Sequence, residues 1–186
     1  MLRMCSLILI LLIFAGCSTI QVKNNYNPKT DFSRLKTYSW LHDKDQPSEN
    51  VRINNDLVKS TVRSSVEETL NTKGFVKTGR DKADFLITWF GAIEQKIKKE
   101  SIDHFYAPYG YGTLYRDPYW NSQPNIAGVT EFEKGTLVFD FLDPVAHTLL
   151  WRGSGSDEVI EGRPEAEVKR NLQEAVAKIL AGFPPN

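Results

Sequence analysis

This chain carries little reactive chemistry. It holds 2 cysteines, 3 histidines and 2 methionines in 186 residues, and no His or Cys pair stands at ligand spacing, so the sequence supports no zinc site. His42, His104 and His147 each fall in an expected loop or turn. Charge of one sign is missing too. The 23 basic side chains are matched by 23 acidic ones, which removes the electrostatic reason to expect nucleic acid as a partner. No Gly-Lys-Ser or Gly-Lys-Thr occurs and no glycine-rich loop leads from a strand into a helix, so no phosphate cradle is indicated. Gly153-Ser154-Gly155-Ser156 lacks the Gly-x-Ser-x-Gly spacing of a nucleophile elbow and reads as a strand leaving its sheet. None of these residues calls for a cofactor.

The one long apolar run is at the start. Arg3 gives a short positive beginning, Leu7 to Phe14 is unbroken, and Ala15-Gly16-Cys17 puts small residues at a cleavage point. The run is shorter than the roughly 20 apolar residues a bilayer span requires. The segment resembles a bacterial lipoprotein signal, with Phe14 where leucine is usual. That resemblance implies removal of residues 1–16, loss of Cys5 with them, and acylation of Cys17, palmitate included. With Cys17 occupied, no disulfide can form. Ser18, where an inner-membrane retention signal would have aspartate, implies the outer membrane, with the protein facing the periplasm and lipid as its partner through Cys17. The remaining chain, about 170 residues, is enough for one domain that buries roughly two thirds of its unfolded surface.

Residues 17–30 read as a lipidated tether, because Asn24, Asn25, Asn27 and Pro28 interrupt any apolar period; such a tether reaches about 40 Å when extended. The domain is expected over residues 31–183. Tyr38 and Trp40 alternate as in a short half-buried strand, and Ile53, Leu57, Val58, Val62, Val66 and Leu70 recur at helical spacing up to a capping Gly74. Phe85, Ile87 and Trp89 give a strand face, Leu86 and Phe90 make the opposite face apolar as well, and such a strand belongs in the middle of a sheet. Leu137, Phe139 and Phe141, then Asp143-Pro144, then Leu149 and Trp151 read as an antiparallel hairpin. Pro164 opens a last helix with Val168, Leu172, Ala175, Val176, Ile179 and Leu180 on one stripe. The order implies an α+β fold: a mostly antiparallel sheet of about five strands with two helices packed on one face.

Residues 98–133 break this pattern as a Gly/Tyr-rich insert. Tyr109, Tyr111, Tyr115, Tyr119 and Trp120 are the candidate contacts to a ligand or partner, since their rings join an apolar face to a polar tip. The same rings also suit a flap that packs on the sheet. Asp140 and Asp143 bracket one strand end. They would be the acid and base of a small hydrolase if folding joined them to His147 in a cleft, and are otherwise exposed strand and turn carboxylates.

Three stretches resemble the bacterial lipoproteins of the family catalogued as domain of unknown function 4136. They are Asp31-Phe32-Ser33 with Lys36-Thr37-Tyr38-Ser39-Trp40, Gly74-Phe75 with Lys82-Ala83-Asp84-Phe85-Leu86-Ile87, and Gly135 to Asp140 followed by Trp151-Arg152-Gly153. The resemblance implies an envelope lipoprotein with an α+β domain and assigns no catalytic residue. The expectation is therefore a lipid-anchored, non-enzymatic periplasmic protein with a binding or structural role toward an envelope protein or glycan. A hydrolase of an envelope polymer is the alternative.

Overall fold

Where the apolar residues repeat every third or fourth position, helices form. The computed structural model describes residues 20–42, 55–93, 110–111, 135–157 and 162–185. Helix α1, Asp56–Thr72, is capped by Asn55, whose side chain accepts from Leu57 N at 2.8 Å. Its stripe of Val62, Val66 and Leu70 is fully buried; Ile53 lies outside the described residues. The helix stops at Gly74, whose φ of +86° lets Gly74 N and Phe75 N close on Asn71 O and Leu70 O at 3.0 Å each. Helix α2, Glu165–Leu180, begins after Pro164 with Glu165 and Glu167 in its first turn, and buries Val176, Ile179 and Leu180.

Among the described residues six strands, β1 (Gln21–Tyr26), β2 (Thr37–Trp40), β3 (Val76–Lys77), β4 (Phe85–Ile93), β5 (Gly135–Leu142) and β6 (Leu149–Asp157), form one sheet in the order β1-β6-β5-β4-β2-β3. The β5–β6 hairpin is antiparallel, as are β4–β5 and β1–β6, but β2 runs parallel to both β3 and β4. The α+β expectation therefore holds, with two corrections. The sheet is mixed rather than mostly antiparallel, because α1 carries the chain back after β2 and a crossover helix produces a parallel pair. It also has six strands rather than about five.

The sixth strand is β1, inside the segment read as a tether. Asparagine is disfavoured in strands and masked it. An edge strand needs apolar residues on one face only, and Val22 and Tyr26 pack on the core while Asn25 lies opposite Arg152. The Gly153 to Ser156 run is likewise corrected: it does not leave the sheet but lies within the second half of β6, paired with β5 on one side and β1 on the other. A Cβ on Gly153 would fall onto Trp151 Cη2 and within 2.7 Å of Ile179 Cγ2, so glycine there lets α2 approach the sheet.

Both helices share one buried cluster with Tyr38, Trp40, Phe85, Ile87, Phe139, Phe141 and Trp151, and so cover one face of the sheet. Phe183, just past α2, sits among these rings, 4.4 Å from Phe141, 5.3 Å from Phe75 and 5.4 Å from Trp151 between centroids. Of the three tryptophans that alternate in strands, Trp40 and Trp151 are buried and Trp89 packs half-buried at the margin of the cluster. Among the described residues no helix is long and apolar enough to cross a membrane.

Candidate functional site

Chemistry-bearing side chains gather on the sheet face opposite α1 and α2 and at its turn. Strand pairing sets Thr88, Asp140, Arg152 and Asn25 in one row across β4, β5, β6 and β1. The first three are buried. Asp140 accepts from Arg152 Nε at 2.5 Å and Nη2 at 2.6 Å, a two-pronged pair of a fully buried carboxylate and a guanidinium that is 4% exposed. Four residues nearer the β5 start, Thr136 Oγ1 and Ser156 Oγ lie 3.0 Å apart. Leu86, Val138, Leu142 and Leu149 complete a buried surface. Asp140 is therefore no exposed strand carboxylate, and each of its oxygens accepts from Arg152. The apolar residues flanking it in β5 bury both faces of that strand, which the alternating reading of one face had missed.

The β5–β6 turn holds the second group. Asp143 Oδ1 accepts from Val145 N at 2.8 Å and Ala146 N at 2.7 Å, while Asp143 O receives His147 N at 3.1 Å, so this residue closes the turn. His147 has a φ of +54° and sets its Nδ1 3.1 Å from Gly110 O. Tyr111 stacks on the His147 ring at 4.8 Å and 17°, and its hydroxyl donates to Asp143 O at 3.1 Å. Burial, reinforced by the Asp143 charge and opposed by Arg80, pushes the Tyr111 hydroxyl up to about 12. It stays protonated and acts as a donor. Asp143 and His147 thus share one turn without forming an acid–base pair, and Asp140 stands apart from both on the sheet.

A third group ties α1 to β2. Glu67 Oε1 accepts from Trp40 Nε1 at 2.7 Å and from Lys77 Nζ at 2.6 Å, and Arg63 lies 4.4 Å over the Trp40 ring while donating to His42 O at 2.7 Å. Burial works to raise the Glu67 carboxyl, but the bonds from Lys77 and Trp40 outweigh it and hold it below the usual range. Burial, with the Glu67 charge beside it, takes the Tyr38 hydroxyl up to about 12. Among the described residues no three His, Cys, Asp or Glu side chains come together to hold a metal ion.

Of the candidate aromatic contacts and the lipidation site named from the sequence, Tyr111 is the one described. It is 2% exposed, with a ring face and the hydroxyl already engaged. Cys17, Tyr109, Tyr115, Tyr119 and Trp120 lie outside the described residues. Gly110 and Tyr111 sit at the turn end of the sheet, whereas Ile93 pairs with Gly135 at the other end.

These features define an α+β protein that has, among the described residues, two helices on a mixed six-stranded sheet and a buried ion pair on the other face. Residues 22–185 match the family described as "Domain of unknown function (DUF4136)", and the chain belongs to that family. A DUF4136 family protein from Bacteroides thetaiotaomicron VPI-5482 has a similar fold, with a TM-score of 0.54 at 14% identity over 90% of this chain and 97% of that one. A PDZ domain protein from Parabacteroides distasonis ATCC 8503 gives 0.49 at 14% identity over 90% of this chain and 36% of that one. PelC from Paraburkholderia phytofirmans, solved as a dodecamer, gives 0.46 at 13% identity over 87% and 96%. No curated protein matches the sequence. At such identities the likeness concerns fold alone.

Proposed function

We propose that this protein is a lipid-anchored component of the bacterial envelope, held at the periplasmic face of the outer membrane through Cys17, and that it binds or braces another envelope component rather than catalysing a reaction. The anchor is supported by the apolar run from Leu7 to Phe14 followed by Ala15-Gly16-Cys17. The observation that carries the non-catalytic reading is the commitment of the carboxylates a hydrolase would need. Asp140 is buried against Arg152, and Asp143 caps its own turn. Partner recognition then falls to the aromatic insert, where Tyr109, Tyr115, Tyr119 and Trp120 are the candidate contacts to an envelope protein or glycan, while Tyr111 fastens the insert to the sheet. Two measurements test this reading. Cys17→Ala should lose labelled palmitate and leave the membrane fraction, and a photoreactive residue at Tyr115 in intact cells should capture a specific envelope partner. Wild-type fractionation of the first variant refutes the anchor, and turnover of an envelope polymer that Asp143→Asn abolishes refutes the non-catalytic role.

A further inference from the structure

The chain is fixed to the sheet almost as soon as the signal ends. β1 starts at Gln21, and Ile20 already rests on β6, its Cγ2 lying 3.5 Å from where a Cβ on Gly155 would stand. Only Ser18 and Thr19 separate Ile20 from Cys17. At a maximal rise of about 3.6 Å per residue, the Cys17 backbone stays within about 11 Å of Ile20. β6, with 9 residues, is about 30 Å long, so the sheet extends well beyond that reach.

Strand pairing decides which end is held. Gln21 pairs with Ser156, Thr136 pairs with Ser156, and Gly135 pairs with Ile93, so β1 and β5 begin where β4 and β6 finish. The opposite end carries the turn from Asp143 to Thr148, with Val145 88% exposed, and the exposed Lys29, Lys36, Arg80 and Lys82 beside the starts of β2 and β4. We propose that the end of the sheet where β1 begins lies against the phospholipid headgroups, and that the β5–β6 turn, with the Gly110–Tyr111 contact, points away from the bilayer. This rests on acylation of Cys17. Lipid charge does not reverse the arrangement, because the basic residues of the turn end stand about 30 Å from the anchor and ionic attraction decays over about 8 Å at physiological salt. The chemistry that recognises the membrane is the acyl anchor, and the short link to Ile20 turns it into an orientation. A component of the periplasm approaching from the cell interior therefore meets the turn end first.

The test uses the full acylated protein in vesicles of phosphatidylethanolamine and phosphatidylglycerol with a headgroup-linked acceptor dye. With Cys17 acylated and Cys5 removed, an introduced cysteine is the sole free thiol. Donors are placed at the exposed Ala166→Cys and Asp56→Cys, in the first turns of α2 and α1, or at Val145→Cys and Lys29→Cys. Energy transfer should be several-fold stronger from the two helix positions than from the turn-end pair, in high as in low salt. A flexible Gly/Ser insertion of about 20 residues after Thr19 should shrink that contrast. Equal or reversed transfer on protein whose acyl mass is confirmed overturns the orientation and leaves the anchor standing. Absence of the acyl mass overturns the anchor and the orientation with it.

Discussion

Removing Asp140 alone should be among the most damaging single changes on the sheet face opposite α1 and α2. Asp140→Leu leaves the Arg152 guanidinium 4% exposed, without the carboxylate that meets Nε at 2.5 Å and Nη2 at 2.6 Å. An exposed ion pair contributes at most about 1 kcal/mol, but stranding one partner of a buried pair costs about 3–5 kcal/mol because its charge keeps the desolvation penalty and loses the attraction. The side chains around the pair decide between these figures: Thr88 beside it is 3% exposed and Asp140 itself 0%. For a chain of this size unfolding by urea has a slope of about 2 kcal/mol per molar, so a loss of about 4 kcal/mol lowers the midpoint by about 2 M. Against a typical total of about 5–15 kcal/mol, that is a large fraction of the stability. The assay is equilibrium unfolding of the chain from Ser18 onward, followed by tryptophan fluorescence. Adding Arg152→Met to Asp140→Leu removes both charges and should recover most of the loss, since apolar replacement of a buried pair is often neutral or stabilising. A single variant that moves the midpoint by less than about 0.5 M, given that slope, would refute the burial argument. So would a double variant as unstable as the single one.

Gly153→Ala should lower stability by about 1–3 kcal/mol, because the new methyl collides with Trp151 and Ile179; an unchanged melting curve would mean that α2 is not seated on β6. Tyr111→Phe should cost about 1 kcal/mol through loss of the bond to Asp143 O, and a melting temperature equal to wild type would count against that contact. Asp84, despite a raising contribution from burial, is held below its usual 3.8 by bonds from Lys36 N and from Thr37 N and Oγ1, and Glu67 below its 4.5 by Lys77 and Trp40. Lowered folded values place their stabilisation above the ordinary carboxylate range and remove it as pH falls through the folded values. Stability should therefore level off above about pH 5 and decline below it, with a smaller decline in Asp84→Asn, as read from urea midpoints across that range. In a spectrophotometric titration Tyr38 and Tyr111, both pushed up to about 12 by burial, should remain un-ionised at pH 10; ionisation of either at that pH in the folded protein would contradict their burial.

How much of this was legible in the sequence depends on whether a residue's environment is set locally. The helices were legible because Val62, Val66 and Leu70, like Val176, Ile179 and Leu180, carry the helical period in their own segments. β1 was not, since the strandedness of Asn24 and Asn25 comes from β6 beside them rather than from their own propensity. The Asp140–Arg152 pair is the more instructive case, because both residues lie in a hairpin that was recognised. Residues equidistant from a turn should be partners, and counting back from Leu142 opposite Leu149 would set Asp140 against Trp151, on the helix-covered face. The register instead shifts by one between Phe141 and Leu142, so Phe141 meets Trp151 and Asp140 meets Arg152. Leu150 is the extra residue, and it packs into the core cluster. A side chain's face alternates with every residue, so this single insertion moves all of β6 beyond it to the opposite face relative to β5. It places the two charges together away from the helices, and it turns Gly153 and Gly155 toward Ile179. No local propensity marks Leu150 as the bulge. The buried pair on one face and the close helix on the other are one consequence of that shift, visible only when both strands are read together.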